Sequence, residues 1–177
     1  MSDIALILGG CRSGKSRHAL ELAEDSGVQD KVFVATCQAH DPEMQDRIAA
    51  HQRERQARGS GWATVEDPLN VPGILQRKSG PGTVLVVDCL TLWVSNLFME
   101  NRDEAWVWTQ LEDLDTALGS VRGRILLVSN EVGQGIVPDN AMARMFRDMV
   151  GWVNQRVAAR ADGVIWMVAG LPVQVKG

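Results

Sequence analysis

Ile4-Ala5-Leu6-Ile7-Leu8 runs directly into Gly9-Gly10-Cys11-Arg12-Ser13-Gly14-Lys15-Ser16, which opens onto Arg17-His18-Ala19-Leu20. The apolar run predicts a buried strand, and the residues from Ser16 have helical period. The eight residues between them fit Gly-x-x-x-x-Gly-Lys-Ser. Glycines in such a loop let successive backbone N–H groups curl inward around phosphate oxygens. The helix N-terminus adds the positive end of its dipole, and Lys15 adds a point charge at the β/γ position. Gly9, Gly10, Cys11, Arg12, Ser13, Gly14, Lys15 and Ser16 are therefore the expected phosphate-binding residues. Lys15 is also expected to be catalytic and Ser16 to ligate Mg²⁺. A chance glycine-rich turn is the competing reading, and the agreement of strand, loop and helix argues against it.

The rest of the chain repeats the same grammar. Apolar runs at 32–36, 84–88 and 125–130 each end in a polar or glycine-bearing turn and read as buried parallel strands. A run at 164–168 is followed after Gly170 by 173–175, close enough to pair back as a short antiparallel edge. Segments of helical period lie between them at 16–26, 42–58, 104–118 and 140–160. Strands alternating with helices imply right-handed crossovers and an α/β fold, a mostly parallel sheet with helices on both faces. Ligands in such sheets bind outside the carboxyl ends of the strands. Those ends carry Gly9–Ser16 in sequence, then Thr36-Cys37-Gln38, then Asp88, then Asn130-Glu131. Asp88 is placed as a Walker-B carboxylate completing the magnesium shell from the strand beside the phosphate loop; its plainer alternative is the N-cap of a helix beginning at Leu90. No Asn-Lys-x-Asp tetrad for reading guanine is present, so spacing leaves ATP and GTP both open.

Composition narrows the class. A chain of 177 residues, 45% hydrophobic and 23% charged, fits one globular domain over 1–177. A net charge of -4 gives no general basic footprint for nucleic acid and favours a small phosphorylated ligand gripped locally. The N-terminus lacks the basic segment and cleavage site of a secretory signal, and apolar runs are broken by Asp88, Asn130 and Gly170 before they could span a membrane. A cytoplasmic protein is expected. Cys11, Cys37 and Cys89 have no Cys-x-x-Cys spacing and read as small buried thiols rather than a disulfide framework or zinc site.

The helix predicted at 42–58 is unusual. Asp41-Pro42-Glu43 reads as N-cap, first-turn proline and first-turn acid, and Gly59 as the breaker. At roughly 100° per residue, Met44, Arg47, Ile48, His51, Arg55 and Arg58 share one face. Unpartnered guanidiniums are costly to bury, so this face suits a polyphosphate better than a core. A neutral imidazole is a competent nucleophile toward phosphorus, and flanking guanidiniums lower its pKa and stabilise charge on the transferring oxygens. His51 reads either as that nucleophile, with Arg47 and Arg55 stabilising phosphates, or as a structural histidine. His18 and His40 read as structural.

Taken together, the loop through Arg17, Ala35-Thr36, Arg47-Ile48-Ala49-Ala50-His51, Asp88-Cys89-Leu90-Thr91, Asn96-Leu97, the block from Ser129 to Pro138 and Val153-Asn154-Gln155-Arg156 make the chain resemble a family along nearly its whole length. That family is the bifunctional adenosylcobinamide kinase/adenosylcobinamide-phosphate guanylyltransferase. The resemblance implies a P-loop NTPase with a RecA-like sheet, assembled as a homo-oligomer of the trimeric kind. It implies ATP- or GTP-dependent phosphorylation of the aminopropanol hydroxyl of adenosylcobinamide, then transfer of GMP from GTP through a guanylyl-histidine to adenosylcobinamide phosphate. His51 matches the guanylylated histidine. Thr36, Cys37, Gln38, Gln52, Arg53, Glu54, Arg55, Glu66 and Asp88 match guanine-nucleotide contacts, and Ser16 and Asp88 the Mg²⁺ site. Two departures stand out: about three extra residues between His51 and Glu66, and Cys11 where a smaller residue is usual. Arg12 is placed to reach the transferring group. The kinase base is not identified by sequence, Glu131 being one option. Two rival readings are a monofunctional small-molecule P-loop kinase without a covalent intermediate and a non-catalytic nucleotide-binding regulatory module, whose partner face would come from the six tryptophans, Trp106 and Trp108 among them, if these did not serve core and oligomer packing instead.

Overall fold

The computed structural model describes residues 2–38, 49, 52–53, 61–101 and 103–177. Its strands are β1 (Ser2–Gly9), β2 (Asp30–Ala35), β3 (Trp62–Glu66), β4 (Thr83–Asp88), β5 (Gly123–Val128), β6 (Gly163–Val168) and β7 (Leu171–Lys176). They form one sheet in the order β3-β2-β4-β5-β1-β6-β7. Every pairing is parallel except β6 with β7, which meet antiparallel through the tight turn at Ala169-Gly170. The α/β architecture read from the sequence is the one observed, including the antiparallel C-terminal edge.

The helices are α1 (Lys15–Asp25), α2 (Val71–Lys78), α3 (Leu90–Glu100), α4 (Glu104–Leu118) and α5 (Ala141–Arg160), with a 3₁₀ turn at Val132–Gln134. Most of the helix expected at 42–58 lies outside the described residues; of its length, Ala49, Gln52 and Arg53 are described and are helical. Three elements go beyond the periodicity reading. Strand β3 is short and largely exposed, and the ladder from Lys31↔Trp62 to Ala35↔Glu66 recruits it to the edge of β2. Helix α2 is short, marked by Asn70 capping the Gly73 N–H and by Pro72 in the first turn. Helix α3 buries Leu90, Thr91, Trp93, Val94, Asn96, Leu97 and Phe98, nearly its whole circumference, so no amphipathic stripe announces it.

Alternation along the central strands divides the core in two. Ile4 and Leu6 of β1 point into the larger cluster with α2, α3, α4 and α5, whereas Ala5 and Ile7 point into the smaller one with Ala19, Leu20 and Ala23 of α1. Thus α1 and α5 lie on opposite faces of the sheet. Among the cysteines, Cys89 is buried as expected, but Cys37 is half-buried and Cys11 exposed, because the phosphate loop projects beyond the sheet. Of the tryptophans, Trp93 is core; Trp62, Trp106 and Trp108 pack partly buried against it; Trp152 and Trp166 are exposed. Among the described residues, no helix is long and apolar enough to cross a membrane.

Trp93 is fully buried, and its indole N–H donates to Leu69 O at 2.7 Å, fastening α3 to the turn before α2. Trp93→Ala should lower the unfolding free energy by about 3–5 kcal/mol in a urea titration.

Candidate active site

The site begins where β1 stops. A Cβ on Gly9 would come within 2.6 Å of Ser13 Oγ and 2.7 Å of the Met167 carbonyl, so the neighbouring strand β6 excludes any side chain there. Arg12 and Gly14 take positive φ, 55° and 94°, which turns the chain back on itself before α1. Hydrogen bonds from Ser13 N to Gly10 O and from Gly170 N to Ser13 O fix the curl. Helices α2, α3, α4 and α5 are each capped by a side chain, from Asn70, Cys89, Asp103 and Asn140 respectively. Helix α1 has Gly14 at that position, no side-chain cap among the described residues and no acid in its first turn. Its leading N–H groups are left for an anion.

Two side chains in the loop fit the same purpose. Ser13 Oγ is buried with no hydrogen-bond partner among the described residues. Lys15 is 8% exposed, and its ammonium donates to Gly10 O at 2.6 Å across the mouth of the loop. Burial pushes the Lys15 pKa below its ordinary value, against the opposing pull of Cys89, Asp88 and Cys11. Burial, helped by Asp88, raises the Cys89 thiol to about 12, so it is neutral at physiological pH.

Asp88 reaches this position from farther away than expected. Strand β5 lies between β1 and β4, so the Asp88 backbone stands two strand spacings, about 10 Å, from β1 rather than beside it. Nor does Asp88 cap the following helix. The N-cap of α3 is Cys89, whose Sγ accepts from Leu92 N at 3.4 Å. Strand β5 instead delivers Ser129-Asn130-Glu131 to the phosphate loop, and Glu131 N donates to Gly9 O at 3.2 Å. The chain leaves β1 for one face through α1 and leaves β5 for the other through α5. Adjacent strands whose continuations part in this way open a crevice between their carboxyl ends, the usual ligand position in an open α/β sheet.

Comparison with known proteins agrees with this geometry. Residues 5–175 match the family described as cobinamide kinase / cobinamide phosphate guanyltransferase. The chain belongs to this family. It is 45% identical over 172 residues to the bifunctional adenosylcobalamin biosynthesis protein CobP of Pseudomonas aeruginosa, covering 97% of this chain and 96% of that protein. It is 38% identical to the bifunctional adenosylcobalamin biosynthesis protein CobU of Salmonella typhimurium, covering 97% and 98%. Among solved structures, the RadB recombinase superposes with a TM-score of 0.50 at 17% identity, covering 93% of this chain and 73% of that one. That likeness is one of fold alone, a RecA-like P-loop NTPase.

The residues expected to contact nucleotide in this cobinamide kinase/guanyltransferase fall into two groups. Gly9 to Ser16 and Asp88 gather around the crevice. Thr36, Cys37 and Gln38 follow β2, where Thr36 N donates to Asp88 O at 3.2 Å, and Glu66 ends the edge strand β3. There Gln52 Nε2 donates to Glu66 Oε1 at 3.1 Å, joining two of the expected residues, while Arg53 is exposed. His51, Arg47, Glu54 and Arg55 lie outside the described residues. The Thr36 hydroxyl is fully buried and already engaged: it donates to Cys89 O and accepts from Cys89 N, both at 2.8 Å.

That pair belongs to a buried polar seam which sequence periodicity does not reveal. Asn96 Nδ2 donates to Thr36 O at 2.7 Å and to Pro68 O at 3.1 Å. Thr91 Oγ1 pairs with Ser129 Oγ at 3.2 Å and accepts from Asn130 N at 2.7 Å. Asn154 Nδ2 donates to Asn130 O at 3.0 Å. Together these bonds tie the ends of β2, β4 and β5 to α3 and α5. The available signal was compositional: Thr91 and Asn96 are polar residues on an otherwise apolar helix.

Thr36→Val would leave the buried N–H and carbonyl of Cys89 without their side-chain partner. The expected cost is about 1–3 kcal/mol in urea unfolding, most of it recovered by Thr36→Ser.

Proposed function

We propose that this enzyme uses ATP or GTP to phosphorylate the aminopropanol hydroxyl of adenosylcobinamide. It then carries GMP from GTP through a guanylyl-histidine at His51 to adenosylcobinamide phosphate, giving adenosylcobinamide-GDP. The observation that carries the reading is the family match over residues 5–175, running through an uncapped helix N-terminus behind Gly14-Lys15-Ser16.

In the kinase step, phosphate oxygens accept from the backbone amides of Gly10 to Ser16 and from Ser13, and Lys15 swings from Gly10 O to the β/γ oxygens. Its burial strengthens that contact, because charge–charge interaction gains as water is excluded. Among the described residues no cluster of three or more His, Cys, Asp or Glu could hold a resident metal. A hydroxyl at Ser16 and a carboxylate at Asp88 suit Mg²⁺ arriving with the nucleotide, since that ion keeps phosphate and water oxygens as most of its ligands. It would supply charge neutralisation on the β- and γ-phosphates. In the second step, the His51 imidazole attacks the α-phosphorus, pyrophosphate leaves, and the phosphorylated corrinoid displaces GMP from the histidine. Arg47 and Arg55 stabilise the phosphates, and Thr36 to Gln38, Gln52 to Arg55 and Glu66 hold the guanine nucleotide. We place the enzyme in the cytoplasm as a one-domain homo-oligomer without a nucleic-acid partner, the last in keeping with its net charge of -4.

Two measurements test this. Lys15→Ala should reduce phosphorylation of adenosylcobinamide by about 10²–10³-fold in kcat/KM, the loss typical of a removed charge-stabilising donor. With GTP labelled at the α- or γ-phosphate, wild-type protein should retain α-label that is acid-labile and alkali-stable, and His51→Ala should retain none. Absence of α-label on protein that binds GTP and phosphorylates the corrinoid would leave a monofunctional kinase.

A further inference from the structure

Transfer of a phosphoryl group to an alcohol requires a group that orients the hydroxyl and accepts its proton. Four acids at the carboxyl ends of the described strands are available for comparison. Asp67 accepts from the backbone N–H groups of Leu69 and Asn70 and closes the turn before α2. Glu66 stands at the sheet edge and accepts from Gln52. Asp88 lies close enough for its charge to act on Lys15 and is the carboxylate proposed above for the cation, a role that leaves it poorly placed to take a proton. Glu131 is different in each respect. Its backbone N–H is bonded to Gly9 O at the first residue of the phosphate loop, so it stands in the crevice between β1 and β5. It borders that crevice from the side opposite α1.

Its carboxylate is also held. Asn154 of α5 is 5% exposed, and its Nδ2 donates to Asn130 O at 3.0 Å and approaches Glu131 Oε1 at 3.4 Å. Both neighbours are acceptors, so the amide must turn its NH₂ toward them. Asn154 Oδ1 is left buried with no partner among the described residues. That orphaned oxygen is the cost of turning the amide NH₂ toward both Asn130 O and the Glu131 carboxylate. It is what positioning a carboxylate beside the loop requires.

We propose that Glu131 is the catalytic base of the kinase step and that Asn154 is its positioning residue. The proposal rests on the kinase reading given above. The Glu131 carboxylate accepts the proton of the substrate hydroxyl as that oxygen bonds to the γ-phosphorus. The bond from the γ-phosphorus to the β–γ bridging oxygen breaks, and its electron pair leaves with the nucleoside diphosphate. The proton on Glu131 then passes to solvent.

The test measures three quantities on wild-type, Glu131→Gln and Asn154→Ala proteins. They are phosphorylation of adenosylcobinamide, affinity for ATP, and α-label retention from GTP, with a thermal melt to verify folding. Glu131→Gln should lower kcat for phosphorylation by about 100-fold or more while ATP affinity and α-label retention stay within about threefold of wild type, the change being one of proton acceptance and not of shape. Asn154→Ala should lower the same kcat about tenfold without raising KM for ATP. In Glu131→Ala, added formate should restore part of the lost rate. Glu131→Gln protein that keeps wild-type phosphorylation overturns the proposal. So does a variant that loses ATP binding and α-label in parallel with phosphorylation, since Glu131 would then only brace the loop. A folded wild-type protein that binds ATP but never phosphorylates adenosylcobinamide overturns the kinase reading, and Glu131 as its base falls with it.

Discussion

Strand β5, inserted between the strand that carries the phosphate loop and the strand that carries Asp88, is the constraint on which the carboxyl edge of the sheet depends. It sets the Asp88 backbone about 10 Å from β1, a separation across which the Asp88 charge still acts on Lys15. It also brings Glu131 against Gly9. Because α1 and α5 depart to opposite faces, the ends of β1 and β5 part from one another and open a crevice. The crevice is thus a consequence of connectivity, and the loop glycines only line it.

Holding the ends of β2, β4 and β5 in register demands polar groups in a place where water cannot serve them. The buried Thr36, Thr91, Asn96, Ser129 and Asn154 supply those groups. Thr36, Thr91, Asn96 and Asn154 satisfy backbone where the strands turn into their loops, and Ser129 pairs with the Thr91 hydroxyl. The same bonds keep the strand ends rigid, which a site built on electrostatic preorganisation needs more than it needs affinity. Lys15 shows the other side of that economy: its charge is buried before any nucleotide arrives, supported by Asp88 and tethered to Gly10 O.

Much of this was legible in the primary structure because the signals are local. The loop from Gly9 to Ser16 announces itself by its glycine spacing and by the strand and helix on either side, although the close approach at Gly9 comes also from Met167 of β6. The helices at 104–118 and 140–160 follow from amphipathic period and from caps at Asp103 and Asn140. Where the signal is weak, the reading stops short. The edge strand β3 is exposed and short and exists because β2 offers it a ladder. Helix α3 is apolar on nearly all sides and therefore has no face to detect. Asp88 stands out as a lone acid at a strand end, but nothing near it in the chain says that Cys89 takes over the capping of α3.

Chain chemistry on the scale of a turn or two therefore determined most of the strands and helices, the phosphate loop and the acids at the strand ends. Those properties depend on φ/ψ preference, periodicity and capping, all of which act between near neighbours. The order of strands was decided only in the folded molecule, and with it the distance from Lys15 to Asp88, the meeting of Glu131 with Gly9 and the grip of Asn154. Pairing between β1 and β5 joins residues more than a hundred positions apart, and parallel strands with buried faces have nearly interchangeable apolar sequences. Their neighbours are therefore chosen by the packing of the whole sheet and not by any one segment.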